Sequence, residues 1–262
     1  MEPSSPEVAA APTLPAESGL HARVLEHLGT AICGGELAPG SVLNIDELVD
    51  RYAVSRSVVR EVLRVLASIG FIEARRRVGV MIRPASAWNV FDPQVIRWRL
   101  ASAGRMAQLR SITELRTAVE PHAAYLAASR IGRDEASDLV GLAAKMWAAG
   151  EAGDEERFLH LDIEFHRRVL LASGNEMFVR LQELVAEVLT GRHKHHLMPH
   201  HPHEQALQMH ADVAQAIQRR DGERARQAMV QLMEQAFDEM KSLWEQTGPP
   251  DRDAVGGPTS GA

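Results

Sequence analysis

From residue 19 to residue 70 the apolar positions recur every three or four residues, in three bursts separated by turn-forming residues. HARVLEHLGTAI predicts a first amphipathic helix, halted by the Gly34-Gly35 pair. LAPGSVL follows as an extended stretch around a Pro-Gly turn. IDELVDRY is a short helix with Asn44 at its N-cap, and Ala53-Val54 makes the next turn. SRSVVREVLRVLASIG is a third helix, capped by Ser55 and ended by Gly70, with Val59, Val62, Leu63, Leu66 and Ile69 facing a core. The period then changes. Phe71 and Ile72, then Val80 and Ile82, flank an arginine-rich turn containing Gly79, which predicts a small β-hairpin.

Pro84 ends this module and ASAW begins a linker. Beyond Trp88 only helical spacing appears, over roughly 92–103, 105–129, 134–149, 154–172, 175–196, 203–219 and 221–246. The predicted fold is mainly α: an N-terminal winged helix-turn-helix with a small β-wing, followed by an all-α antiparallel helical bundle. The expected domains are a winged helix at 19–85, a linker helix at 86–104 and a helical domain at 105–247. Residues 1–18 and 248–262, rich in small residues and proline and without periodicity, are expected to be disordered arms. In WNVFDPQVIRWRL, the residues Trp88, Phe91, Val95, Ile96 and Trp98 offer a greasy surface for core packing or domain docking.

Composition narrows the class. At 262 residues the chain is long for one core, and its 45% apolar content is that of a globular protein. No run of about 18 apolar residues occurs, so no membrane span is expected. The first residues lack the charge and the apolar run of a secretory signal. A single cysteine, Cys33, excludes an internal disulfide, fits a reducing cytoplasm and is expected to be a buried apolar residue.

Charge is distributed unevenly. Between Arg51 and Arg83, eight arginines face only Glu61 and Glu73, a local balance of +6 that leaves −12 on the rest of a chain of net charge −6. A basic module on an acidic body predicts that one part of the molecule meets phosphate. Within the third helix Arg56, Arg60 and Arg64 recur every four residues, apart from the core face. Arginine there can take guanine O6 and N7 together or grip phosphate. Ser55 and Ser57 open that helix, where hydroxyls and free N–H groups suit phosphate. The Arg75-Arg76-Arg77 run lies at the wing tip, within reach of phosphate or a minor groove.

VSRSVVREVLRVLASIGFIEARRRVGVMI resembles the DNA-binding module of GntR-type regulators, and the all-helical remainder resembles the effector-sensing (FCD) domain of the FadR branch. The resemblance implies a homodimer on a short palindromic operator. It places Arg56, Ser57, Val58 and Arg60 against operator DNA and Arg76, Arg77 and Gly79 in the wing. Asp46 departs from the pattern, standing where fatty-acid-responsive relatives have a DNA-contacting arginine.

FLHLDIEFHRRVL raises a separate question. Asp162 and His166, four residues apart, leave one helix face beside a stripe of Leu161, Phe165 and Val169. His210 lies at the edge of another core-facing stripe, formed by Val213, Ala214 and Ile217. Taken alone, such a pair is a structural hydrogen bond, a metal site or a proton relay. The resemblance implies a divalent metal held by Asp162, His166, His210 and a fourth histidine, but the position 22 residues beyond His210 is Leu232. Three ligands leave zinc (or manganese or nickel) open to an effector's carboxylate; without metal the three would bind effector directly. Arg116 falls where the family has an arginine facing the effector, and the plainer reading pairs it with Glu120. The histidine-rich stretch HKHHLMPHHPH, at 193–203, reads as an exposed loop that could lend a ligand.

The W-N-x-x-D-x-x-V-x-x-W text resembles sugar-acid repressors of the galactonate and gluconate type. The expected function is therefore a cytoplasmic DNA-binding repressor of a sugar-acid catabolic operon, not an enzyme, released by an aldonate such as gluconate or galactonate. Lactate or a fatty-acid derivative is the alternative effector. The rival functions are a metal-dependent enzyme on the Asp/His cluster and an architectural DNA-binding protein.

Overall fold

The computed structural model describes residues 19–195, 197 and 204–247. The two expected disordered arms, 1–18 and 248–262, and most of the histidine-rich stretch lie outside these residues. The described residues form two compact units, one running to Arg105 and the other starting at Met106. Among them, no helix is long and apolar enough to cross a membrane.

The first unit comprises α1 (Leu20–Gly34), β1 (Val42–Leu43), α2 (Ile45–Tyr52), α3 (Arg56–Ser68), β2 (Ile72–Arg75), β3 (Gly79–Ile82) and α4 (Pro93–Leu100). The caps act as local chemistry requires. Asn44 accepts a hydrogen bond from the Asp46 N–H and Ser55 accepts one from the Val58 N–H, each satisfying an orphan donor of its helix. Val59, Val62, Leu63, Leu66 and Ile69 are all buried, as the periodicity of α3 predicts. They meet Val24, Leu25 and Leu28 of α1 and Phe71, Ile72 and Ile82 of the wing in one core. Val95 and Trp98 of α4 join that core, so the greasy segment after Pro84 packs within this unit, while Phe91 is exposed.

Gly70 is required by geometry. Its φ is +83°, and a Cβ there would lie 2.2 Å from the Ala87 carbonyl oxygen. The wing differs from the expected hairpin by one strand. The extended stretch before α2 supplies β1, which pairs antiparallel with β3, giving the order β1-β3-β2. Two residues are too few for alternation to show. Cys33 is half-buried rather than fully buried, and burial pushes its thiol up to about 12.

The second unit is all helix: α5 (Arg105–Arg130), α6 (Arg133–Glu151), α7 (Glu155–Ala172), α8 (Glu176–Val179), α9 (Gln182–Lys194), α10 (Glu204–Gln218) and α11 (Gly222–Thr247). α7 packs against α6 and α9, and α10 packs against α6 and α11. The single helix expected over 175–196 is broken. The Leu181 N–H bonds Phe178 O at 3.0 Å, a tighter turn that ends α8 and starts α9. The expected stripe of α7 is also revised. Phe165 and Val169 are fully buried, but Leu161 is only half-buried, and Asp162 and His166 occupy the buried face.

Candidate functional site

The basic face of the winged helix is built by α3 and the wing. Ser55, Arg56, Ser57, Arg60 and Arg64 are exposed, while Val58 is half-buried against the core. The Ser55 hydroxyl is shared between the helix cap and Ser57 Oγ, 2.7 Å away. Arg56 reaches Asp46 at 2.6 Å, an ion pair that explains how an acid is tolerated beside the start of α3. Arg64 pairs with Glu61. Arg60 forms no ion pair among the described residues and is the unclaimed cation of the stripe. At the wing tip Arg75 is held by Glu73, whereas Arg76 and Arg77 are exposed beside Gly79. Arg77 adopts φ 68°, which turns the chain tightly enough to return from β2 to β3.

The helical unit holds a second, buried polar site. α7 supplies Asp162 and His166, α10 supplies His210, and α5 supplies Arg116 and Glu120; all five are 5% exposed or less. The sequence marked four of these, and the structure brings them together. Arg116 pairs with Glu120, its Nε donating to Oε1 at 2.6 Å, and its NH2 lies 3.2 Å from His166 Nε2. His166 Nδ1 hydrogen-bonds the other oxygen of Glu120, and His210 Nδ1 hydrogen-bonds the Ala206 carbonyl at 2.7 Å.

Those two Nδ1 contacts decide the chemistry of the site. A carboxylate and a carbonyl are acceptors only, so each imidazole must carry its proton on Nδ1. Both Nε2 atoms then turn toward Asp162 Oδ1, at 3.3 Å from His166 and 3.1 Å from His210. One ligand atom from each of the three residues lies within 4.8 Å of the other two. Three lone-pair donors aimed at one another suit a shared cation, whether a proton or a metal, alongside the Arg116 NH2 that donates to His166 Nε2.

The electrostatics agree. Burial works against an imidazolium at His166, but Glu120 and the hydrogen bond to Asp162 outweigh both burial and Arg116, lifting its pKa to about 9. Burial also works against charge on Glu120, yet Arg116 and His166 hold its carboxyl at about 2. Asp162 is held well below the usual carboxylate range, where hydrogen bonds from His166 and His210 overcome its burial.

The cluster opens on a cavity of about 80 Å³, lined also by Arg192 of α9 and by Leu232, Gln235 and Glu239 of α11. Leu232 thus occupies the cavity wall as an apolar residue. His193, from the histidine-rich stretch, also lines the cavity and lies 3.8 Å from Glu155, whereas His196 and residues 198–203 are outside the described residues. Sequence reasoning missed Arg192, Gln235 and Glu239, and met Glu120 only as a partner for Arg116. The signal was phase: Leu184, Val188 and Arg192 are spaced by four, as are Ile112, Arg116 and Glu120, so these charges lie on apolar stripes.

Comparison with known proteins bears on both units. Residues 20–82 match the family described as bacterial regulatory proteins, gntR family, and residues 111–235 match the FCD domain. The galactonate operon transcriptional repressor of Escherichia coli (strain K12) is 29% identical over 223 residues, 84% of this chain and 96% of that protein. The HTH-type transcriptional regulator LutR of Bacillus subtilis (strain 168) is 30% identical over 166 residues, 60% of this chain and 70% of that protein. Among solved structures, Lar, which controls expression of the Listeria monocytogenes agr system, gives a TM-score of 0.55 at 17% identity. That match covers 88% of this chain and 100% of that one, and it is a likeness of fold.

Proposed function

Because this chain belongs to the GntR family of bacterial regulators and carries an FCD domain, we infer that its winged helix reads an operator under the control of a sugar acid bound in its helical unit. The chain is a ligand-responsive, DNA-binding transcriptional regulator, and its relatives are regulators rather than enzymes. Beyond that, the proposal has three parts: a metal at the buried triad, an aldonate effector, and a homodimer on a short palindrome.

The observation that carries it is the convergence of His166 Nε2, His210 Nε2 and Asp162 Oδ1, with both Nδ1 atoms already engaged. Glu120 behind His166 and the Ala206 carbonyl behind His210 are the kind of supporting acceptors that orient imidazole ligands. Two nitrogens and one carboxylate oxygen suit zinc, and they also accommodate manganese or nickel. A divalent ion held there supplies a Lewis-acidic anchor for a carboxylate or hydroxyl oxygen of the effector. Leu232 offers no fourth donor, which leaves room for that oxygen. Arg116, beside the triad, adds positive charge in a dry site, where it favours an anion.

An aldonate is favoured because a relative similar over most of the chain is named for a galactonate operon and because the opened donor set accepts a hydroxy acid. On DNA, Arg60 of each protomer meets base edges in one half-site, Arg56 and Arg64 exchange their acidic partners for phosphate, and Arg76 and Arg77 follow the backbone or minor groove. The effector acts by preferring the conformation that binds DNA poorly; reversing a strongly biased equilibrium needs about a 10⁴-fold preference.

The test is a gel shift of the full chain on the region upstream of its own gene, with D-galactonate and D-gluconate as releasing agents. Metal analysis of untagged wild type, Asp162→Ala and His210→Ala accompanies it. Sequence-selective binding that persists at physiological salt, released by an aldonate, with metal bound by the wild type alone, is the expected result. Binding no better than to random DNA sinks the operator part. Wild-type protein without stoichiometric metal after supplementation sinks the metal part.

A further inference from the structure

One wall of the cavity is built around two polar atoms that have no partner among the described residues. Arg192 is only 4% exposed. Its NH2 donates to Glu239 Oε2 at 2.9 Å, but its buried Nε has no hydrogen-bond acceptor. One turn earlier on α11 than Glu239, Gln235 has the complementary defect: its Oε1 is buried without a donor. Its amide orientation is not arbitrary. Nε2 donates to Glu239 Oε1 at 3.3 Å, and turning the amide over would set its oxygen against a carboxylate. Glu239 therefore braces both residues, one with each oxygen, and leaves one donor and one acceptor unused.

Buried polar groups without partners are rare in native proteins, because each loses its hydration and regains nothing. Both residues line the cavity that also holds Asp162, His166, His210 and Arg116. A cationic N–H without an acceptor calls for an anionic oxygen. An amide oxygen without a donor calls for a hydroxyl.

We propose that Arg192 and Gln235, positioned by Glu239, are the recognition wall for a hydroxycarboxylate: Arg192 takes an anionic oxygen of the ligand and Gln235 accepts a hydrogen bond from one of its hydroxyls. This rests on the sensor reading above and adds to it the residues by which the site selects a hydroxy acid. A simple carboxylate satisfies Arg192 and leaves Gln235 wanting. A polyol satisfies Gln235 and offers the guanidinium only a neutral hydroxyl oxygen, a weaker acceptor than a carboxylate. Only a ligand carrying both groups completes the wall, which sets sugar acids and other hydroxy acids apart from fatty acids. The competing occupant is a pair of ordered waters, which satisfy both atoms and confer no selectivity.

The experiment is calorimetric titration of the full-length, metal-loaded protein with D-galactonate, D-gluconate, L-lactate, acetate and galactitol, in wild type, Arg192→Gln, Arg192→Lys and Gln235→Leu. Arg192→Gln should weaken every carboxylate that binds, by about 10- to 100-fold. Arg192→Lys should recover part of this loss, since it keeps the charge and gives up the planar fork. Gln235→Leu should weaken the hydroxy acids and spare acetate, a selectivity change that general loosening of the helices would not produce. If folded Arg192→Gln binds galactonate as tightly as wild type, the wall holds only water and the proposal falls. Should Arg192→Gln fail to fold, the other two variants decide: undiminished galactonate affinity in Arg192→Lys, or an unchanged galactonate-to-acetate ratio in Gln235→Leu, overturns the proposal. If wild type binds none of these acids at roughly 10 mM, the sensor reading itself fails, and this proposal with it.

Discussion

Glu120 is the residue on which the buried cluster depends, and Glu120→Gln is its sharpest test. The carboxylate is 1% exposed and serves two cations, Arg116 through Oε1 and His166 through Oε2. Glutamine keeps the shape and loses the charge, leaving Arg116 buried without its anion. Breaking a buried pair from one side costs about 3–5 kcal/mol, a large share of the 5–15 or so that holds an ordinary domain together. In metal-free protein the pH dependence adds a second signature. His166 titrates at about 9 in the fold against 6.5 for a free imidazole, a gap worth on the order of 3 kcal/mol at about 1.4 per pH unit. A raised pKa stabilises the fold fully below 6.5, and this contribution is lost as pH climbs through 9. Glu120 acts in the opposite sense: its pKa is depressed from 4.5 to about 2, so its contribution is present above 4.5 and disappears as pH falls toward 2. Chelator-treated wild type should therefore be most stable between roughly pH 5 and 6.5 and lose stability steadily toward pH 9. Glu120→Gln removes the leading attraction that holds the proton on His166, so its curve should be lower and its alkaline limb flatter. Hydrogen exchange of peptides spanning α7, measured from pH 5 to 9.5 and corrected for intrinsic rates, reads this directly. A variant as stable as wild type at pH 6, or one with the same alkaline slope, would refute the account of the cluster.

Two further predictions concern the winged helix. Arg60→Ala should cost operator binding about 1–3 kcal/mol and relax preference at the bases it meets, whereas Arg77→Ala should weaken all sequences alike and lower the salt slope by about one. Anisotropy titrations on operator and random duplexes across a salt series distinguish them; equal behaviour of the two variants would contradict the assignment. Gly29→Ala should destabilise the first unit by about 1–3 kcal/mol through overpacking, because its Cβ would fall 2.4 Å from the Trp98 ring. That ring cannot simply step aside, since Trp98 is 1% exposed and its Nε1 donates to Glu26 at 2.7 Å. A urea melt followed by tryptophan fluorescence checks this, and an unchanged midpoint would show that the ring relocates freely.

What could be read in the sequence and what could not divide along a physical line. The helix α3 was legible because everything that makes it is local: a serine cap, an apolar face at helical spacing and a glycine that stops it. The strand β1 was not, because two residues carry no period and its partner, β3, lies far along the chain. The same line divides the candidate site. Asp162 and His166 stand out by their spacing on one helix, and His210 by resemblance, whereas the sequence reading passes over Arg192 and Glu239. A charge is exposed by default because burial is costly unless a partner repays it. Here the partners are non-local: 46 residues separate Glu120 from His166, and 47 separate Arg192 from Glu239. No window along the chain contains both halves of either pair. The one local trace is that Glu120 and Arg192 keep the phase of the apolar residues around them. A charged residue in apolar phase either weakens its helix or meets an opposite charge inside the bundle. In a chain with such residues of both signs, plus a paired Asp and His, the second alternative makes the better starting hypothesis. It places a ligand site in the bundle from sequence alone, and here it points to residues that the resemblance left unassigned.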